Sequence, residues 1–156
     1  MVGVAVVGVG GFAFSEYWED RPRPLTEMGG LQLGMDSDEV TFLWGKPIKV
    51  DGNTAYYQEL FDGYDYIVEY EAGMDENGVM VSRVGAIYTR AASRYSLPFG
   101  LSKSSASRED IIEQLGDPDV ILKNLDGLGR RLEYHRYNVE FQLEKNRITG
   151  WGIKAW

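Results

Sequence analysis

Two stretches decide the fold: GLQLGMDSDEVTFLWGKP, from Gly30 to Pro47, and GLSKSSASREDIIEQLGDP, from Gly100 to Pro118. Laid over one another, Gly45 falls on Gly116 and Pro47 on Pro118, an offset of 71 residues. Gly30 and Leu31 fall on Gly100 and Leu101, an offset of 70, so one residue is inserted between the two anchors. Such self-similarity is the signature of a repeated structural unit. Each stretch encodes one short helix with its punctuation. Asp36 stands as an N-cap with Glu39 three residues on, and Ser107 stands likewise before Asp110. A capping oxygen accepts from an orphan N–H of the first turn, and an acid there suits the positive end of the helix dipole. Val40, Leu43 and Trp44 form one apolar stripe, and Ile111, Ile112 and Leu115 form the other. Gly45 and Gly116 end the helices, and the proline two residues later forbids continuation.

Strands are expected after each helix. The first set reads Thr54 to Leu60, Tyr64 to Glu71 and Val79 to Thr89, separated by Phe61-Asp62-Gly63 and Asp75-Glu76-Asn77-Gly78. The second set reads Arg131 to Arg136, Val139 to Glu144 and Arg147 to Lys154, with Lys145-Asn146 as the last turn. Val139, Phe141 and Leu143 alternate with Glu140, Gln142 and Glu144. Tyr66, Val68 and Tyr70 alternate with Asp65, Glu69 and Glu71. Period two with one polar face predicts an antiparallel sheet covered on one side. The expected fold is therefore α+β. Two tandem repeats, each a helix plus a three-stranded antiparallel meander, share one sheet with both helices on one face. The domain runs from 25 to 156, with repeat one over 30–96 and repeat two over 100–156.

Residues 1–24 read differently. Val2 to Phe14 is unbroken by charge, Tyr17 and Trp18 follow as interfacial aromatics would, and Arg21-Pro22-Arg23-Pro24 reads as an extended linker. Thirteen helical residues cover only about 20 Å, short of a hydrocarbon core of about 30 Å. The segment reads as a signal or anchor, with membrane contact through Val2 to Trp18. A buried first strand or core helix is the alternative. Gly8, Gly10 and Ala13 imitate a dinucleotide fingerprint, but Pro22 and Pro24 stop the helix that such a site needs.

The 156 residues hold no cysteine, which excludes disulfides and thiolate chemistry. Sixteen Lys and Arg against twenty-four Asp and Glu leave a net charge of −8. That balance argues against a nucleic-acid partner, which needs a basic footprint.

The Gly30-Leu31, Gly34-Met35, Val40 and Gly45-Lys46-Pro47 pattern, followed by a meander, resembles the small outer-membrane-assembly lipoprotein family called SmpA/OmlA or BamE. The doubled arrangement is similar to that of the secreted beta-lactamase inhibitor protein. The match covers Gly30 to about Thr89. In the second copy Ser105-Ala106 stands where the Gly-Met pair would be. The resemblance implies a non-enzymatic protein of the cell envelope, outside the cytoplasm, that works by protein contacts. Neither the lipidated cysteine of the first relative nor the disulfides of the second can carry over.

Site chemistry in the sequence is sparse. His135 is the sole histidine, and its place between Tyr134 and Arg136 puts it in a strand as a surface or hydrogen-bonded residue. No catalytic set and no metal or cofactor motif assembles, so an enzyme acting on carbohydrate or peptidoglycan ranks last. The leading expectation is a membrane-tethered or secreted protein-binding module. Its open sheet face carries Asp65, Glu69, Glu71, Glu140, Gln142 and Glu144, with Tyr57 and Trp151 as aromatic anchors. Two acidic stripes on one surface would fit a partner protein with a basic surface. A structural factor in envelope assembly is the alternative.

Overall fold

The computed structural model describes residues 22–57, 66–90, 97–101, 106–125, 127 and 129–156. The Val2 to Trp18 segment, Asp65 and Tyr64 lie outside the described residues. A small hairpin comes first, β1 (Glu27–Met28) with β2 (Leu31–Gln32). Helix α1 (Ser37–Trp44) is followed by β3 (Lys49–Asp51), β4 (Thr54–Tyr57), β5 (Tyr66–Met74) and β6 (Met80–Thr89). Helix α2 (Arg108–Leu115) is followed by β7 (Val120–Lys123), β8 (Gly129–Tyr134), β9 (Val139–Glu144) and β10 (Arg147–Lys154). The last eight strands form one antiparallel sheet in the order β3-β4-β5-β6-β10-β9-β8-β7.

This arrangement corrects the expected fold class. Among the described residues 48% are strand and two short helices occur, so the protein is mostly β rather than two helix-plus-three-stranded-meander repeats. Each helix spans only eight residues. Each is followed by four strands, not three. Within the eight-stranded sheet, the strands absent from the sequence reading are its two edges. β3 has three residues, all exposed, and β7 is exposed along Ile121, Leu122 and Lys123. An edge strand with no buried stripe carries no period-two signal, so alternation alone does not reveal it.

Helix punctuation follows local chemistry. Asp36 accepts from the Asp38 N–H at 2.9 Å, and the Gly45 N–H closes α1 on the Thr41 carbonyl. In α2, Ser107 and Asp110 bond reciprocally as a capping box, and Gly116 bonds the Ile112 carbonyl. Gly45 and Gly116 sit at φ of 79° and 83°, a region that costs any side chain dearly.

One core joins these elements. Val40 of α1 and Ile111 and Leu115 of α2 pack with Val68, Ile87, Leu132, Tyr134, Val139, Phe141 and Ile153 of the sheet, and with Met28 and Leu31 of the hairpin. The α1 stripe is narrower than its sequence suggests, because Leu43 is exposed and Trp44 half-buried. Trp44 packs edge-on to Tyr57 at 5.1 Å, tilts against Tyr66 at 4.7 Å, and donates its indole N–H to the Gly29 carbonyl. Among the described residues, no helix is long and apolar enough to cross a membrane.

Candidate functional site

Register fixes which side chains share the face opposite the core. Val68, Ile87, Ile153, Val139 and Tyr134 lie in line across five strands on the core side. Their neighbours Glu69, Ala86, Lys154, Gly152, Glu140 and Glu133 therefore point the other way. No described helix packs on that second face. Its middle is low. An added Cβ at Gly152 would meet Tyr88 Cδ1, and at Gly85 it would meet the Glu71 side chain at 2.6 Å. The Tyr88 ring and the Glu71 stem thus lie flat over glycines of the adjacent strand.

A charged network crosses β8 and β9 beside that floor. Glu133 and Glu140 are direct cross-strand partners. Arg131 Nε lies 3.4 Å from Glu133 Oε2 and 3.5 Å from Glu140 Oε2. His135 Nε2 lies 3.0 Å from Glu133 Oε1, and the His135 ring stacks on Trp156 at 4.4 Å. Lys154 Nζ stands 5.8 Å from the Trp156 ring centre. Glu140 is only 2% exposed, although it sits on the uncovered face. Its Oε1 is buried and makes no hydrogen bond among the described residues. Burial pushes the Glu140 carboxyl above the usual carboxylate range. Arg131 opposes that rise, and the neighbouring Glu133 adds to it. Burial, followed by the Glu140 charge, likewise holds the Tyr88 hydroxyl protonated.

Of the residues expected to form the site, Glu69, Glu71, Glu140, Gln142 and Glu144 do share this face. Tyr57 and Trp151 do not. Both are buried on the core side, Tyr57 against Trp44 and Trp151 in line with Thr89 and Phe141. An aromatic on a one-sided sheet goes where apolar area is removed from water. Asp65 lies outside the described residues.

The two acidic stripes are also less like-charged than expected. β5 and β9 are separated by β6 and β10, which puts them roughly 14 Å apart at about 4.8 Å per strand. Solvent screens the exposed members over that span, while the buried Glu140 still feels Glu69. A cation accompanies the acids too: Arg83 opposite Glu71, Arg147 opposite Glu144, and Arg131 on Glu140. The face is one of mixed charge.

Sequence reading passed over Arg131, Glu133, Tyr88 and Trp156. The signal for the first two was present, since Arg131 and Glu133 alternate with the buried Leu132 and Tyr134. His135 begins a 3₁₀ turn over His135–Tyr137 rather than lying in a strand, because Asn138 follows in the left-handed region and turns the chain. Two carboxyls in unequal surroundings are an arrangement that acid–base chemistry uses. Here the more buried of the two, Glu140, is 2% exposed. Among the described residues no group of three or more His, Asp or Glu side chains could hold a metal ion.

No family model matches the chain, and the SmpA/OmlA likeness over Gly30 to about Thr89 has no support from this comparison. No curated protein matches either. Among solved structures the chain is similar to the crystal structure of a DUF4309 family protein, YjgB, from Bacillus subtilis subsp. subtilis str. 168. The two share 14% identity over 85% of this chain and 86% of that one, with a TM-score of 0.48.

Proposed function

We propose that this protein is a binding module that docks another protein on its uncovered sheet face, with Arg131 at the centre of contact. One observation carries the reading: a carboxylate, Glu140, is buried on the side of the sheet that faces away from the core. A buried charge costs several kcal/mol even when paired, and an apolar residue there would serve the fold as well or better. What Glu140 does provide is position. With Glu133 it holds an arginine whose side chain is still 40% exposed. Arginine and aromatic side chains set in a rigid frame dominate binding energy at protein interfaces, and Trp156, stacked on the His135 that bonds Glu133, belongs to the same cluster. The partner that fits has mixed charge: an acidic or carbonyl group for Arg131, and basic groups for Glu69, Glu71 and Glu144. A location outside the cytoplasm is part of the proposal, and the apolar Val2 to Phe14 segment is consistent with it.

The test is site-specific photo-cross-linking in cells, with the probe at Gln142 on this face or at Phe42 on exposed α1. Cross-links to one protein from position 142 only, and an affinity for that protein that falls about tenfold or more in Arg131→Gln, are the expected results. Cross-links from position 42 alone, or equal affinity in the variant, would overturn the docking face.

A further inference from the structure

On the core side of the sheet, at the far end from the Glu140 network, Arg108, Gly127, Arg130, Leu132, Leu143, Lys145 and Asn146 line a cleft of about 310 Å³. That is the lower end of the size of small-molecule sites. Three cations line it, in a chain whose net charge is −8. Lys123 stands cross-strand from Arg130 on the same side and adds a fourth cation nearby. Among the described residues, no carboxylate forms an ion pair with Arg108, Arg130 or Lys145.

The cleft is assembled by specific contacts. Lys145 and Asn146 occupy the left-handed region at φ of 49° and 61°, which turns β9 into β10 within two residues. Asn146 Oδ1 then accepts the Arg108 N–H at 3.2 Å, while its Nδ2 donates to Glu109 Oε2 at 2.9 Å. One side chain thereby fixes the hairpin tip against the first turn of α2. Arg130 Nη1 bonds the Gly127 and Gly129 carbonyls at 3.4 and 3.2 Å, which holds its guanidinium over the loop. Arg108 occupies the first position of α2, where the helix dipole is positive and a cation is disfavoured. Glu109 and Asp110, the acids of that turn, keep their charge and accept hydrogen bonds from Asn146 and Ser107, which turn them toward those partners. Arg108, Arg130 and Lys145 thus bring three positive charges to one cleft, partly offset by Glu109 beside Arg108.

We propose that this cleft binds an oxyanion of the phosphate class, held by Arg108, Arg130 and Lys145 beside the first turn of α2. Arginine matches phosphate oxygens with paired donors, lysine adds a point charge, and helix N-termini favour anions. The group could be a soluble phosphate or a lipid headgroup, and the experiment separates these sources. Calorimetric titration of the full chain with inorganic phosphate at low ionic strength is one arm. Co-sedimentation with phosphatidylcholine vesicles, with and without phosphatidic acid, is the other.

Saturable one-to-one phosphate binding, weakened about tenfold or more in each of Arg108→Gln, Arg130→Gln and Lys145→Gln, is expected for a soluble ligand. Vesicle binding that requires phosphatidic acid and is lost in the triple variant is expected for a headgroup. Lys46→Gln, beyond the end of α1, should bind as the unaltered protein does. Equal binding by the triple variant and the unaltered chain would overturn the proposal, as would no saturable binding in either arm. Should a Gln variant not fold, as judged by circular dichroism, Arg108→Lys and Arg130→Lys keep the charge and test the same site.

Discussion

Replacing Glu140 by Gln isolates the electrostatic cost of the buried carboxylate, because it removes the charge and keeps the shape. Attraction to Arg131 at 3.5 Å amounts to about 5 kcal/mol at an effective dielectric constant of about 20. Against it stand withdrawal of the carboxylate from water, several kcal/mol in real proteins, and repulsion from Glu133 and Glu69. The direction of the Glu140 shift, upward from 4.5, shows that the opposing effects exceed the attraction. The folded state therefore binds this proton more tightly than the unfolded chain does. The group's contribution to stability is fully present below about pH 4.5 and is lost as pH rises through the higher folded value. At pH 4 the Gln variant and the unaltered protein should be nearly equal in stability. At pH 8 the variant should be more stable by about 1–2 kcal/mol. In a chain of this size that raises the melting midpoint by roughly 2–8 °C. Urea denaturation at the two pH values, followed by circular dichroism, gives the comparison directly. A Gln variant less stable than the unaltered protein at pH 8 by more than about 1 kcal/mol would refute the reasoning. It would mean that Arg131 outweighs desolvation and that Glu140 supports the fold.

Two further outcomes test the frame around the sites. Tyr134 is fully buried and donates to the Gly116 carbonyl at 2.8 Å, so Tyr134→Phe should cost about 1 kcal/mol in urea denaturation. Burial pushes the Tyr134 hydroxyl up to about 12, so its contribution is held below pH 10 and lost above it. The Phe variant should accordingly lose less stability than the unaltered chain between about pH 10 and pH 12; parallel curves would contradict this. Gly152→Ala places a methyl group 2.7 Å from the Ile87 carbonyl and against Tyr88, forcing β6 and β10 apart. A loss of about 1–3 kcal/mol is expected, and an unchanged urea midpoint would contradict the close approach.

The parts of the fold legible in the sequence are those set by local chemistry. Asp36 and Ser107 cap helices, and Gly45 and Gly116 end them, because capping and left-handed φ depend on a few adjacent residues. β9 and β10 have their expected bounds because Val139, Phe141 and Leu143 alternate with polar neighbours over a buried face. The edges β3 and β7 were not legible, since what defines them is a hydrogen-bonded neighbour rather than a buried stripe. The overall balance of strand to helix was misjudged for the same reason. In the candidate site, the polar face was readable but its burial was not. Glu140 and Glu144 occupy equivalent places in the alternation, yet one is 2% exposed and the other is open to solvent. The difference comes from Tyr88, which reaches across Gly152 from another strand. Tyr57 and Trp151 were misplaced because an aromatic in a strand suits an interface and a core equally well until register is known.

The sheet order also sets a timetable for synthesis. β6 emerges from the ribosome when only the first helix and its strands exist, and its Ala86–Thr89 edge gains its strand partner only when β10 is made. Everything from Arg90 to Arg147 must be translated in the interval. During that time the Ala86–Thr89 edge presents open backbone groups beside the buried Ile87 and Thr89, while Val84 is already bonded to Gly34 and Met35. Such an edge can pair with other chains. Closure across β6 and β10 joins residues distant in sequence and is slow for that reason. A nascent chain stalled within that interval is therefore the species most prone to aggregate, and a chaperone that shields β6 would act on it before the fold is complete.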